Sequence, residues 1–215
     1  MKVVITGSSS GIGKATALEF LKRGHQVIGI DKKGPSIQEK NYTHCQVDIT
    51  RDELPSIPDV EILVHSAGVQ EEEEAIDVNL KGTIRVNEEY AFQERIHSVL
   101  FIASSSASNG AEFPDYAASK GGVVTYMKYV ASKIAKYHAT SNSLSPGGVT
   151  TDLNKHILES KELYEAVLNE TLLHAWATAE EIAQWAYFVT VINRSMTAQD
   201  ILIDNGEQAK FNFIW

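Results

Sequence analysis

Lys2-Val3-Val4-Ile5-Thr6-Gly7-Ser8-Ser9-Ser10-Gly11-Ile12-Gly13 opens the chain and decides how the rest is read. The β-branched run from Lys2 to Thr6 reads as a strand. The periodic segment from Ile12 to Lys22 reads as the helix that follows, with Gly24 as its stop. Between them the glycines let the backbone turn sharply and approach a ligand closely. The exposed N–H groups and the positive end of the helix dipole suit a pyrophosphate. The spacing is Gly-x3-Gly-x-Gly, which departs from the commoner dinucleotide fingerprint Gly-x-Gly-x2-Gly. The Walker A pattern fails, because Ser8 stands where its first glycine would be and Ala15 where its serine or threonine would be. A tight turn without a ligand fits the same letters, but the strand–loop–helix setting favours nucleotide binding.

Gly7-Ser8-Ser9-Ser10-Gly11 also matches the Gly-x-Ser-x-Gly nucleophile elbow, with Ser9 as nucleophile, so a hydrolase is the rival enzyme class. That fold takes one oxyanion-hole N–H from an earlier loop, and only six residues precede Gly7. The elbow reading is therefore the weaker one.

Outward from this loop, short β-branched runs alternate with longer amphipathic stretches, the pattern of βα units around a parallel sheet. Strands are expected at Gln26–Ile30, Thr43–Val47, Val60–His65, Ser98–Ile102, within Ala139–Leu144 and at Asp200–Asp204. Helices are expected over Val78–Glu94 and Tyr116–Tyr137, and again after Pro146, where Leu163, Val167, Leu168 and Leu172 recur at helical spacing. Thr178-Ala179-Glu180-Glu181 reads as a capping box before a helix over Ile182–Ile192. The expected architecture is a single α/β domain over residues 1–215, a Rossmann-type doubly wound parallel sheet of about seven strands with helices on both faces. Glu71 to Glu74, four consecutive acids, read as a solvated loop or helix start rather than a binding patch.

Composition excludes several classes. The chain has 215 residues, 43% of them hydrophobic, enough for a sizeable core. Cys45 is the single cysteine, so no intramolecular disulfide scaffold is possible and a reducing compartment is expected. A formal charge of −9 argues against a nucleic-acid or anionic-membrane partner. No apolar run reaches membrane-spanning length, and the N-terminal one is too short for a signal-peptide core. A cytoplasmic protein is expected.

Asp31 ends the second strand at about the distance from the glycine loop where a carboxylate accepts hydrogen bonds from an adenosine ribose. It would repel a 2′-phosphate, which favours NAD(H) over NADP(H), although Lys32 and Lys33 follow and partly offset the repulsion. Further on, Tyr116-Ala117-Ala118-Ser119-Lys120 puts a phenol and an ammonium at i and i+4 on one helix face. A neighbouring cation favours the phenolate, which makes proton exchange with an alcohol or ketone oxygen feasible. Ser104, Ser105 and Ser106 lie just upstream, where a hydroxyl could bond the same oxygen. Taken alone, a Tyr and a Lys one turn apart are common helix surface.

Taken together and in this order, these residues make the chain resemble, along essentially its full length, the short-chain dehydrogenase/reductase family in its short classical form. The family's cofactor loop corresponds to Thr6–Gly13, implying cofactor contacts from Gly7, Ser9, Ser10, Gly11, Ile12 and Gly13. Its acidic residue beside the adenine corresponds to Asp48, followed by Ile49. Its Asn-Asn-Ala-Gly appears as His65-Ser66-Ala67-Gly68, where His65 is read as structural. The catalytic asparagine corresponds to Asn79, the Tyr-x3-Lys pair to Tyr116 and Lys120, and the catalytic serine to Ser104, with Ser105 the alternative. The turn bordering the nicotinamide corresponds to Pro146, Gly147, Val149 and Thr151. The segment between Gly68 and Asn79 is shorter than is usual in the family.

The resemblance implies reversible hydride transfer between a nicotinamide cofactor and a secondary alcohol or ketone, without a metal. Tyr116 would move the proton and Ser104 would orient the substrate oxygen. Lys120 would lower the tyrosine pKa and bond the cofactor ribose, and Asn79 would hold a water in a proton relay. A 3-oxoacyl carrier-protein reductase is the alternative activity. A nucleotide-binding regulator without turnover is the alternative of a different class. A homodimer or homotetramer built on the helices of Asn79 and Tyr116 is expected. A mobile substrate lid is expected around residues 151–173, with Leu153, Ile157, Leu158, Leu163 and Tyr164 as apolar lining. The terminal Phe211–Trp215 is expected to pack on its own core or on a neighbouring subunit.

Overall fold

A computed structural model of the chain describes residues 1–110 and 113–210. Seven parallel strands form its central sheet: β1 (Lys2–Thr6), β2 (Gln26–Asp31), β3 (Tyr42–Gln46), β4 (Ile62–His65), β5 (Ser98–Ile102), β6 (Thr140–Pro146) and, last in the chain, Asp200–Ile203. Two further strands of two residues each, β7 (Val149–Thr150) and β8 (Ala177–Thr178), pair apart from that sheet, so the last strand is β9. The main order is β3-β2-β1-β4-β5-β6-β9. The chain reverses its direction of travel across the sheet between β1 and β4, which pair with Thr6 opposite His65. In open parallel sheets such a switch point leaves a crevice at the carboxyl ends of the strands, and the glycine loop starts there.

Strand residues alternate between two cores. Val4, Leu63, Val99 and Phe101 pack beneath a helical layer that contributes Val86, Tyr90, Val123 and Met127. Val3, Ile5, Ile62, Val64 and Leu100 face the opposite layer, with Ala17, Phe20, Ile182 and Ala186. Every position of β4 is buried, as an unbroken apolar run covered on both faces requires.

The helices match the expected order with shifted ends. The first, α1, spans Gly11–Lys22. The second helical stretch begins earlier than expected, with α2 at Glu72–Ala75. It continues through a π-helical turn over Ile76–Gly82 into α3 at Thr83–Tyr90. The acidic run is therefore a helix start, where carboxylates oppose the positive end of the dipole. A short helix α4 (Ser106–Asn109) follows β5, and α5 covers Pro114–Ile134, with Pro114 in its first turn and a 3-10 turn at Ala135–Tyr137. Two short helices, α6 (Lys155–Leu158) and α7 (Lys161–Leu168), occupy the segment expected as a lid. The Thr178–Glu181 capping box forms and starts α8 (Ala179–Tyr187), which ends in a second π turn over Phe188–Ile192. No helix among the described residues is long and apolar enough to cross a membrane. Phe211–Trp215 lies outside the described residues.

Candidate active site

The crevice at the strand ends is a cleft of about 1180 Å³. At its β1 side, Gly7 has φ +70, and a Cβ there would stand 2.8 Å from the backbone of Ala67. A Cβ at Gly13 would overlap the carbonyl of Gly7, so the loop folds onto the start of α1 only with glycine at both places. That helix opens with no capping side chain and no acid in its first turn. Its first N–H groups have no intrahelical acceptor, so the end that faces the cleft through Ser10, Gly11, Ile12 and Gly13 suits an anion. Thr6 Oγ1 accepts from the N–H groups of both Ser66 and Ala67 at 3.1 Å, fixing the Ser66–Gly68 turn against this loop.

Asp31 takes the N–H groups of Ser9 at 2.9 Å and Lys33 at 2.8 Å, which fixes its carboxylate at the cleft edge. Ser9 itself does not line the cleft. Its hydroxyl turns away and donates to Gly34, and its carbonyl accepts from Ser36. Ser9 reaches the cleft edge only through its N–H on Asp31. Asp48 lines the same end, its carboxylate held below the usual range by hydrogen bonds from the Thr50 hydroxyl and N–H. Ile49 lies beside it. Lys32 reaches to 3.9 Å from Glu74 of α2.

Ser104, Tyr116 and Lys120 line the middle of the cleft. Burial pushes the Tyr116 phenol above its ordinary pKa, and a hydrogen bond with Ser104 works against that shift. This differs from the expected lowering by Lys120. The ammonium lies 5.7 Å from the phenol ring centroid and donates to the carbonyl of Ile102 at 2.9 Å. Desolvation brings Lys120 down to about 8 from its ordinary 10.5, so it is still charged at neutral pH and gives up its proton just above it.

Asn79 does not line the cleft. It sits in the π turn, 1% exposed, with its amide donating to the Val69 carbonyl and the Ser119 hydroxyl and accepting from the Val69 N–H. Both amide hydrogens are committed, which leaves no donor for the expected relay water. A Cβ at Gly68 would lie 3.1 Å from Asn79 Oδ1 and 3.4 Å from Lys120 Nζ, so both side chains approach that glycine. Ser119 in turn donates to the Tyr116 carbonyl.

Pro146, Gly147, Val149 and Thr151 line the far end, together with Leu153 and Ile157 of the expected lid. Leu158, Leu163 and Tyr164 do not line it. Leu163 is half exposed, and Tyr164 stands edge-on to Trp176. Trp176 and Glu207, which no motif singles out, are part of this wall. Among the described residues no group of three or more His, Cys, Asp or Glu side chains could hold a metal ion.

The comparisons with known proteins agree with this fold. The family model described as enoyl-(acyl carrier protein) reductase matches residues 7–208. A 3-oxoacyl-[acyl-carrier-protein] reductase of Thermotoga maritima is 29% identical, with 94% of this chain and 96% of that protein covered. Glucose 1-dehydrogenase of Gluconobacter oxydans is 25% identical, with 95% and 91% covered. A mutant 4-hydroxyisoleucine dehydrogenase, complexed with NADH and succinate, superposes with a TM-score of 0.88 at 24% identity, with 99% and 100% covered. The chain belongs to the short-chain dehydrogenase/reductase family and is an NAD(P)-dependent oxidoreductase of alcohol and ketone groups.

Proposed function

We propose that the chain interconverts a secondary alcohol and a ketone with NAD(H) preferred over NADP(H), and that Tyr116 moves the proton. The observation that carries this is the meeting of Ser104, Tyr116 and Lys120 in the cleft that begins at the uncapped end of α1. A bound nicotinamide would supply the hydride acceptor in oxidation and the hydride donor in reduction.

The glycine loop and the first turn of α1 would hold the pyrophosphate. Asp31 would hold the adenosine ribose, Asp48, Ile49 and Ser66–Gly68 the adenine side, and Pro146–Thr151 the nicotinamide end. Tyr116 gives its proton to the carbonyl oxygen in reduction and takes it from the hydroxyl in oxidation. Ser104 bonds the same oxygen and polarises it. Lys120 favours the phenolate when charged, and Asn79 acts as a positioning residue through Val69 and Ser119. The preference for NAD(H) rests on the fixed carboxylate of Asp31 and on the drawing of Lys32 toward Glu74, both of which disfavour a 2′-phosphate.

The relatives include a 3-oxoacyl-[acyl-carrier-protein] reductase and a glucose 1-dehydrogenase, and the first activity is kept as the second reading. A homodimer or homotetramer, a lid at 151–173 and a cytoplasmic setting belong to the same reading. They are supported by the half-exposed Tyr129 of α5, the short helices α6 and α7, and the free thiol of Cys45.

The test is Tyr116→Phe beside fluorescence titrations with NADH and NADPH. Turnover is expected to fall about 10²–10⁴-fold with NADH affinity retained. Undiminished turnover would remove Tyr116 from its role, and tighter binding of NADPH would overturn the preference. A wild-type protein that binds NADH but turns over no alcohol or ketone would favour the regulator reading.

A further inference from the structure

Asp31 can select a ribose only if its carboxylate keeps a fixed place beside the glycine loop, and a closed circuit of hydrogen bonds joins the two. We infer that Tyr42 and His44 of β3 are positioning residues for the cofactor, holding Asp31 and the glycine loop together through that circuit and so setting the affinity for NADH and its preference over NADPH. The inference rests on the ribose role proposed for Asp31 and adds the residues that act through it.

The two strands are built to bring these groups together. Tyr42 and His44 stand two residues apart and so share one face of β3, with their ring centroids 6.2 Å apart. On the neighbouring strand β2, Gly29 pairs with His44, and a Cβ at Gly29 would overlap both the Tyr42 hydroxyl and the Ser8 hydroxyl. The missing side chain is what lets a phenol from β3 reach Ser8 of the glycine loop, which is fully buried.

One acceptor fixes the direction of the circuit. The Lys33 carbonyl can only accept, so His44, whose Nε2 lies 2.9 Å from it, carries its proton there. Nδ1 of the neutral imidazole is then left to accept from the Tyr42 hydroxyl at 3.1 Å. With its one hydrogen committed, the Tyr42 oxygen accepts from the Ser8 hydroxyl at 3.0 Å. Lys33 donates its N–H to one oxygen of the Asp31 carboxylate at 2.8 Å, and Ser9 donates its N–H to the other at 2.9 Å. Ser8 and Ser9 are covalent neighbours, so the circuit closes.

Ser8, Tyr42 and His44 do not line the cleft, so they act without touching the cofactor. What they set is the place of the carboxylate. A ribose hydroxyl is held only at hydrogen-bond distance, and a 2′-phosphate is repelled more strongly the closer the carboxylate stands. Opening the circuit therefore weakens NADH and eases the repulsion of NADPH.

The test is a set of fluorescence titrations with NADH and NADPH on the full chain. Tyr42→Phe and His44→Phe keep an aromatic ring and break the circuit, and Ser8→Ala breaks it without added bulk. Each is expected to raise the Kd for NADH about 3–10-fold and to change that for NADPH less. As links of one circuit they should not add, so Tyr42→Phe with His44→Phe should lose no more than the larger single loss. The deciding measurement is made in Asp31→Ala, where Tyr42→Phe should no longer alter NADH affinity. A substitution that merely loosens the fold would weaken binding in both backgrounds, and that result would overturn the inference. So would an unmoved NADH affinity in folded Ser8→Ala and Tyr42→Phe. If Asp31→Ala weakens NADH binding while those two variants do not, the ribose role stands and only this inference fails; if Asp31→Ala leaves NADH binding unchanged, the ribose role fails and takes this inference with it.

Discussion

The Lys120 ammonium donates to the carbonyl oxygen of Ile102, the last residue of β5, at 2.9 Å. This bond fixes the lysine from the sheet side, beneath the phenol it is expected to serve. The site is 7% exposed, and burial lowers the amine to about 8 from its ordinary 10.5. The unfolded chain therefore holds a proton between pH 8 and 10.5 that the folded chain has released, and in that window stability rises with pH.

Lys120→Met removes that linkage. The variant is expected to gain stability relative to wild type below pH 8, by up to roughly 3 kcal/mol, with the gap narrowing as pH rises to 10.5. The lost bond to Ile102 adds an offset that does not vary with pH. Urea unfolding at pH 7, 8.5 and 10 reads the difference, and a gap constant across the series would mean that Lys120 is not desolvated as described.

Thr6 shows how one hydroxyl joins fold to site. Thr6→Val keeps the shape of the side chain but strips the acceptor from the N–H groups of Ser66 and Ala67. The expected cost is about 1–3 kcal/mol, with weaker NADH binding because the Ser66–Gly68 turn loosens. Thr6→Ser should recover most of both. Equal losses in the two variants would show that the methyl group, not the hydroxyl, matters.

Much of this was legible in the sequence because β-branched runs and helical periodicity report burial directly. Ser98–Ile102 was expected and found with the same ends, and the Thr178–Glu181 capping box is visible as spacing alone. What the letters did not carry was direction. Nothing in Gly7-Ser8-Ser9-Ser10-Gly11 says that Ser9 turns its hydroxyl to Gly34 while Ser10 faces the cleft. The π turn shifts the phase of the helix at Ile76–Gly82, so a 3.6-residue period cannot tell which way Asn79 points. The paired strands β7 and β8 are two residues long, too short for any alternation, and with them the place of Trp176 was hidden.

Asn79→Asp tests the approach of this side chain to Lys120 around Gly68. The substitution keeps the shape and puts a negative charge near the ammonium, so Lys120 should hold its proton to higher pH. Two readouts should move together. The limb of the kcat/KM profile that reports the amine shifts upward, and the rise in stability between pH 8 and 10.5 becomes shallower. Lower stability without either shift would reduce Asn79 to tethering Val69 and Ser119.

His65 governs the acid side of the stability curve. It is 2% exposed, stacked on Phe101 with centroids 4.6 Å apart, and its Nε2 lies 3.3 Å from Asn87 Oδ1. Asn87 donates through its amide nitrogen to Tyr126, so Oδ1 is free to accept, and His65 carries its proton on Nε2. Nδ1 is buried with no partner, and burial drives the imidazole down to about 3 from 6.5. Between those values the unfolded chain binds a proton that the folded chain refuses. Stability contributed here is complete above pH 6.5 and is lost as pH falls toward 3. His65→Phe keeps a ring against Phe101 and removes the titration. Its stability should fall less steeply than that of wild type between pH 6 and 4, by about 1.4 kcal/mol per pH unit at most. Urea unfolding at pH 7, 6, 5 and 4 reads that slope, and parallel curves for the two proteins would mean that the folded chain accepts a proton on His65.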